Sequence, residues 1–190
     1  MLAQTPLAPL QPMRSVSGQF NIYDRRVPTS LRLPERTEAQ PLLNLEPTFL
    51  VVSCERIKQA LHADLEAGRD WSGGIHISIR SVQGRQDAAQ INAERLGARW
   101  NYRVDLPERM ARDQFARTLV QVLLLELANR SGADRSAEIP LWLSEGLTQQ
   151  LLASREAELI LPPPTLCVGA MLVAPTQLEK RDPDALTNVR

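Results

Sequence analysis

The spacing of hydrophobic positions along the chain predicts several strands. Isoleucine alternates with polar residues over 75–79, the pattern of a strand that buries one face. Weaker alternation predicts strands at 18–23 and around 98–104. The apolar run at 49–52 lies between turn-forming residues and predicts a short strand. One more strand is expected around 165–173 in the C-terminal part.

Apolar residues at helical spacing predict three amphipathic helices. The first covers about 54–67, the second 107–130 and the third 140–153. Pro107 stands at the start of the second helix, where its missing N–H would have no partner in any case. This order of elements predicts an α+β fold in which a small mixed sheet packs on a pair of helices.

Proline and polarity divide the chain into three parts. Residues 1–47 contain seven of the 14 prolines and are expected to form an extended arm with one strand. Residues 48–154 hold the regular patterns and are expected to form the core. Residues 155–190 are expected to form a proline-containing tail, and truncation of the chain there is one interpretation.

Polar residues interrupt the apolar stripes of the last two predicted helices. On the longer helix the residues that share one face are Phe115, Leu119, Val122, Glu126 and Asn129. On the next helix they are Leu141, Glu145, Thr148 and Leu152. A helical hairpin is therefore expected to bring Glu126, Asn129 and Glu145 together.

Two segments of these helices resemble a family of enzymes. Residues 125–129 read Leu-Glu-Leu-Ala-Asn, and residues 142–146 read Trp-Leu-Ser-Glu-Gly. Together they resemble the active-site helix pair of gluzincin metallopeptidases of the peptidase-MA type, in which an HExxH helix precedes a helix close to WLxEG. The resemblance covers about residues 48–153 and implies a zincin-like fold in the N-terminal half of the domain.

The resemblance assigns a former role to four positions. It matches Glu126 to the general base of HExxH and Glu145 to the third zinc ligand. The first two metal positions hold Leu125 and Asn129 instead of histidine. Leucine has no ligating atom, and an amide oxygen is a poor zinc ligand beside imidazole. We therefore expect no metal, no other cofactor and no catalytic residue, with Glu126 as a vestigial base.

Two carboxylates that share a site without a cation cannot both stay ionised cheaply. If Glu126 and Glu145 meet, we expect one of three arrangements. One carboxyl group is protonated, an arginine such as Arg130 or Arg155 pairs with them, or Asn129 donates a hydrogen bond to one of them. The cluster is then a structural link between the two helices.

These observations predict a catalytically inactive, peptidase-like domain, a pseudopeptidase, that serves as a binding or scaffold module. An extended peptide or a protein is the expected partner and would add a strand to the sheet edge, with the strand at 75–79 as a candidate. Two alternatives are a divergent hydrolase that uses Glu126 and Glu145, and a purely structural assembly domain.

Composition limits the other partners. The 22 basic and 22 acidic residues give a formal net charge of zero, so the chain as a whole has no electrostatic footprint for nucleic acid. No apolar run approaches the length of a transmembrane helix. No signal peptide is visible, but the polar, proline-containing start is typical of a mature exported protein, so a periplasmic or secreted location is expected.

The two cysteines, Cys54 and Cys167, allow one disulfide bond. The alternative is a pair of buried, inert thiols. A bond between them would support export, because disulfides persist in oxidising compartments.

Overall fold

A computed structural model of the chain describes residues 11–26, 42–66, 73–81, 88–97, 99–130 and 135–160, and for residues 154–158 it describes the backbone alone. Within these ranges the fold is α+β. The strands are β1 (Met13–Arg14), β2 (Phe20–Asp24), β3 (Leu43–Asn44), β4 (Gly74–Arg80), β5 (Gln90–Leu96), β6 (Arg99–Pro107) and β7 (Arg109–Met110). The helices are α1 (Pro47–Leu65), α2 (Arg112–Asn129) and α3 (Leu141–Leu159).

The main sheet has five strands in the order β1-β2-β4-β6-β5. β4 is parallel to both β2 and β6, whereas the two outer strands β1 and β5 are antiparallel to their neighbours. A second, two-stranded sheet pairs β3 with β7. Gly97 has a φ of 63° between β5 and β6, a left-handed conformation that glycine adopts without strain in a tight hairpin.

One face of the main sheet packs against the helices. The alternating residues Ile75, Ile77 and Ile79 of β4 are fully buried, and they belong to one hydrophobic core with side chains of all three helices. The strand predicted at 75–79 is thereby confirmed. Because consecutive strand residues point to opposite faces, the residues between these isoleucines lie on the other side of the sheet, away from the core.

The apolar run at 49–52 is helical, so the strand predicted there is wrong. Pro47 is the first residue of α1, a position that suits its fixed φ and its missing N–H. Phe49 and Leu50 then continue the spacing of Cys54 and Ile57 and are buried on the same face of the helix. A run of four apolar residues is compatible with either structure, and here it forms the first turn of a longer amphipathic helix.

The start of the second predicted helix is also corrected. Pro107 ends β6, and α2 begins only at Arg112. The alternation of buried side chains continues through Val104 and Leu106, which keeps this segment in the sheet, and a proline that lacks an N–H is tolerated at a strand end. The strand predicted at 165–173 lies outside the described residues.

The strand predicted at 18–23 is present as β2, and it lies inside the main sheet between β1 and β4. Phe20 and Ile22 are buried in the same core as β4. This part of residues 1–47 is therefore an integral strand of the domain. Within the described ranges, no helix combines the length and the apolar character that a membrane span requires.

Candidate functional site

The apolar stripe predicted on the second helix is confirmed. Phe115, Leu119 and Val122 are fully buried on α2, and the two polar members of the stripe are buried with them, Glu126 at 2% and Asn129 at 3% exposure. The sequence pattern thus correctly places a carboxyl group and an amide in the interior, at the C-terminal end of α2. Buried polar groups need partners, because an unpaired one costs several kcal/mol, on the order of 2–7 for a neutral group.

The partner of Glu126 is the guanidinium group of Arg130, one helical turn further along. Arg130 Nη2 donates to Glu126 Oε2 at 2.8 Å, and Arg130 Nε lies 3.1 and 3.2 Å from the two carboxylate oxygens. On the other side, the backbone N–H of Gly73, just before β4, donates to Glu126 Oε1 at 3.3 Å. Of the arrangements expected from the sequence, pairing with Arg130 is the one present.

Gly73 approaches this carboxylate closely. A Cβ atom at position 73 would lie 3.0 Å from Glu126 Cγ and 3.1 Å from Tyr102 Cε2. Because Gly73 has no side chain, the segment that leads into β4 can pack directly against the C-terminal end of α2. This contact leaves no space for a side chain at position 73.

Asn129 makes a separate set of contacts and does not donate to a carboxylate. Its Nδ2 donates to Tyr102 Oη at 3.1 Å and to Ser136 Oγ at 3.4 Å, and its Oδ1 accepts the backbone N–H of Ala137 at 2.6 Å. The hydroxyl of Tyr102 in turn donates to the carbonyl oxygen of Leu125 at 3.3 Å. Burial raises the pKa of Tyr102, so the hydroxyl remains a donor at neutral pH.

Glu145 does not join this cluster, contrary to the expectation that the hairpin brings it to Glu126. Its Oε1 lies 2.8 Å from Arg117 Nε, an ion pair in which the N–H is not aligned for a hydrogen bond. Arg117 precedes Glu126 by nine residues, which is about 14 Å along the axis of α2. The two carboxylates thus have different arginine partners at different heights of the helix.

The reason is the rotation of α3. Its buried face shares Thr148 with the predicted stripe but has Ser144 and Leu151 where Glu145 and Leu152 were expected. Leu141 is 71% exposed, and the side chain of Glu145 is 30% exposed. Ser144 and Thr148 can be buried because each hydroxyl donates to a backbone carbonyl of the preceding turn, Ser144 to Leu141 and Thr148 to Ser144.

The metal positions of the resemblance hold side chains of another kind. Leu125 packs against the hydrophobic core, and Asn129 is engaged by the contacts with Tyr102 and Ala137. Among the described residues, no three His, Cys, Asp or Glu side chains lie close enough together to hold a metal ion. The arrangement at the end of α2 can fix the helix to the sheet, but within the described part of the chain it presents no metal-binding cluster.

Cys54 is a fully buried thiol on α1 and forms no disulfide with a described residue. Burial raises its pKa well above the ordinary range of a cysteine, which keeps the thiol protonated. Cys167 lies outside the described residues, so the predicted choice between a disulfide bond and two free thiols stays open.

The strand at 75–79, expected as the edge that receives a peptide, is internal, and the outer strands of the described sheet are β1 and β5. The strand at 75–79 is β4, which is hydrogen-bonded to β2 and β6 on its two sides, so it is not an edge. β5 pairs with β6 alone among the described strands. Sequence reasoning missed β5 because only Ile91 and Ala93 on its core side are apolar, and two such positions give little alternation.

Comparison with known protein families, curated proteins and solved structures finds no match to this chain. The chain is therefore classified here by its fold alone. It is an α+β domain with a mixed five-stranded sheet and its described helices on one face, and its buried ion pair lies where a helix end meets the sheet.

Proposed function

We propose that this chain is a noncatalytic, peptidase-like domain of gluzincin ancestry, a pseudopeptidase that binds an extended segment of a peptide or protein. One observation carries the proposal. Glu126, the position that the resemblance matches to the general base, is buried in an ion pair with Arg130 and accepts a hydrogen bond from Gly73. A general base must reach substrate and water, and this carboxylate faces neither.

The chemistry of the neighbouring positions supports the same conclusion. Catalytic zinc sites use three protein ligands, and Leu125 and Asn129 replace two of the three that the resemblance implies. A carboxylate that loses a nearby cation needs another positive charge to remain buried. Arg130 supplies that charge on the same helix, so loss of the metal and retention of Glu126 are compatible.

The edge of β5 supports the binding part of the proposal. An unpaired edge strand offers backbone N–H and C=O groups to an added strand. The core-side residues of β5, Ile91 and Ala93, are half-buried, whereas Gln90, Asn92 and Glu94 on the other side are exposed. A bound segment would therefore place apolar side chains beside Ile91 and Ala93 and polar ones on the opposite face.

The test is selection of binding peptides from a random dodecamer display library, followed by hydrogen–deuterium exchange of the complex. We expect selected peptides to alternate apolar and polar residues and to slow amide exchange in residues 90–96. We also expect them to remain uncleaved during incubation with the protein.

Two results would contradict the proposal. Peptides that protect only residues outside β5 would remove the edge as the binding site. Cleavage of a selected peptide, abolished by Glu126→Gln, would show that the domain is an enzyme. The matched control for that variant is Glu66→Gln, which removes an exposed carboxylate just after the last residue of α1.

A further inference from the structure

The second face of the main sheet is covered by none of the described helices and is mostly polar, with Leu96 at the end of β5 as an exposed apolar residue. The strand register aligns its side chains in rows across β1, β2, β4, β6 and β5. Its central row is Arg14, Asn21, His76, Arg103 and Asn92. The next row is Tyr23, Ser78, Asp105 and Gln90. All of these side chains are half-buried or exposed.

The half of this face on β1, β2 and β4 is basic. Arg14 is on β1, Arg25 follows β2 on the side of Tyr23, and Arg80 ends β4 on the side of His76. In the described part of the chain, none of these three arginines forms an ion pair with a carboxylate. Arg80 donates instead to the backbone carbonyl of Ala88 at 2.8 Å. We call this set of three arginines with Tyr23 and His76 the basic sheet face.

The carboxylates of the same side of the sheet lie on β6 and β5. They are Asp105 and Glu94. Glu94 is 3.7 Å from Arg103, and both side chains are more than half exposed, so this pair contributes little stability. Asp24 lies on the core-side register of β2 and is bound by Arg26. Among the described residues, these three arginines therefore have no acidic neighbour on their own half of the face.

Two rings occupy the centre of the basic sheet face. Tyr23 and His76 are stacked with centroids 6.0 Å apart, and Tyr23 Oη is 3.3 Å from His76 Nδ1. Burial and the nearby charge of Arg103 lower the pKa of His76, in keeping with a positive local potential. The Arg25 guanidinium lies 5.9 Å from the centre of the Tyr23 ring. Both rings thus make contacts within the protein.

We propose that the basic sheet face docks an acidic segment of a protein partner, with Arg14, Arg25 and Arg80 pairing to its carboxylates. Arginine suits this task because its planar guanidinium can bind a carboxylate through two hydrogen bonds. Arg25 and Arg80 lie side by side on neighbouring segments, about 4.8 Å apart. Arg14 lies beside Asn21, four residues before Arg25, which is about 13 Å along the strand. The three arginines can therefore meet acidic side chains spread along one partner segment. This inference does not depend on the proposed peptidase ancestry.

An acidic protein segment fits the face better than a single-stranded nucleic acid. Nucleic acids bind such faces by stacking bases on free aromatic rings. Here His76 and Arg25 already contact the ring of Tyr23.

Fluorescence anisotropy tests the docking with a labelled peptide that contains six glutamates, at about 0.1 M salt, where the Debye length is about 10 Å. The comparison probes are the same peptide with glutamine at those positions and a labelled oligothymidine. We expect the glutamate peptide to bind at least about tenfold more tightly than either. We also expect at least about tenfold weaker binding after combined Arg14→Gln, Arg25→Gln and Arg80→Gln substitution.

The matched control removes three arginines elsewhere, by Arg56→Gln, Arg112→Gln and Arg135→Gln, and should bind as the unmodified protein does. An equal loss in this control would show attraction by bulk charge and overturn the proposal, as would no preference for the glutamate peptide. Tighter binding of oligothymidine, lost in the first triple variant, would assign the face to nucleic acid instead. Circular dichroism verifies that both triple variants are folded.

Discussion

The buried charged side chains among the described residues are paired within a helix, and a further hydrogen bond links each pair to another segment of the chain. Glu126 is held by Arg130 and by the backbone of Gly73. On the other side of the core, Lys58 Nζ lies 2.6 Å from Glu55 Oε2 and donates to Ser17 Oγ at 2.7 Å. Burial opposes the charge of Glu55, but hydrogen bonds from Lys58, Ser15 and Ser17 outweigh it and lower its pKa. Removing one member of such a pair leaves a buried charge.

Arg130→Met tests the pairing of Glu126. It should reduce the free energy of unfolding by about 3 kcal/mol, because the buried carboxylate would lose the guanidinium group that pairs with it. Adding Glu126→Gln should restore part of the loss. Arg117→Gln, in the exposed pair with Glu145, should cost less than about 1 kcal/mol. Urea denaturation measures all of these, and equal costs of Arg130→Met and Arg117→Gln would contradict the assignment.

Gly73→Ala tests the close packing of Gly73 against the side chain of Glu126. The new methyl group would be 3.0 Å from Glu126 Cγ, so we expect a loss of about 1–2 kcal/mol. Gly146, on the exposed side of α3, has no neighbouring atom within 4 Å of a built Cβ. Gly146→Ala should therefore stabilise the protein, by about 0.5–1 kcal/mol. If thermal melting shows both variants gaining stability, the close approach at Gly73 is not a constraint.

At the scale of elements, the sequence correctly predicts the helices and strands whose apolar residues recur at regular spacing along their whole length. β4 alternates over its whole length, and α2 buries the full predicted stripe through Glu126 and Asn129. The face of α3 could be predicted only in part, because Thr148 is buried as expected but Ser144, whose hydroxyl donates within the helix, is buried in place of Leu141 and Glu145. β5 has few apolar residues because it lies at an edge.

Deletion of residues 1–26 tests whether β2 is integral to the fold. It would remove Phe20 and Ile22 from the core, each contributing about 1.5–3 kcal/mol by burial, and would leave one side of β4 without its hydrogen-bonded neighbour. We expect this variant to be unfolded by near-ultraviolet circular dichroism. Deletion of residues 1–10 removes no described element and is the control. A cooperative, native-like unfolding transition after the longer deletion would refute this role of β2.

Ion pairs link the end of β2 to the start of α1. Arg26 binds Asp24 on its own segment and Glu46 just before the helix, at 2.6 and 2.8 Å. Hydrogen bonds from Arg26 lower the pKa of both carboxyl groups. A lowered folded pKa stabilises the protein above the ordinary carboxyl pKa, near 4, and the effect disappears as pH falls through the lowered values.

Arg26→Gln should therefore destabilise the protein at neutral pH, with the difference from the unmodified protein constant above about pH 5. Below about pH 4 the difference should shrink toward zero. Arg56→Gln on the exposed side of α1 is the control for removal of an arginine. Urea denaturation from pH 7 to 3 gives both curves, and a difference that persists undiminished at pH 3 would contradict the role of these two carboxylates.

At the scale of the whole molecule, the two faces and the edge of the main sheet carry different proposed roles. The helix-covered face of the sheet holds the core and the Glu126–Arg130 pair, β5 offers an edge, and the second face presents the basic sheet face. The sequence predicts the burial of Glu126 and Asn129 from helix period. It could not predict the arginines of the basic sheet face as a group, because they are 11 or more residues apart in the chain and only the strand register aligns them.

The most direct test of the proposed loss of catalysis is the zinc content of the purified protein. The protein is dialysed first against zinc and then against zinc-free buffer without chelator, and the metal is measured by plasma mass spectrometry. With the carboxylate of Glu126 held by Arg130 and that of Glu145 by Arg117, we expect far less than one zinc per chain. One zinc per chain, lost in Glu145→Ala, would contradict the account.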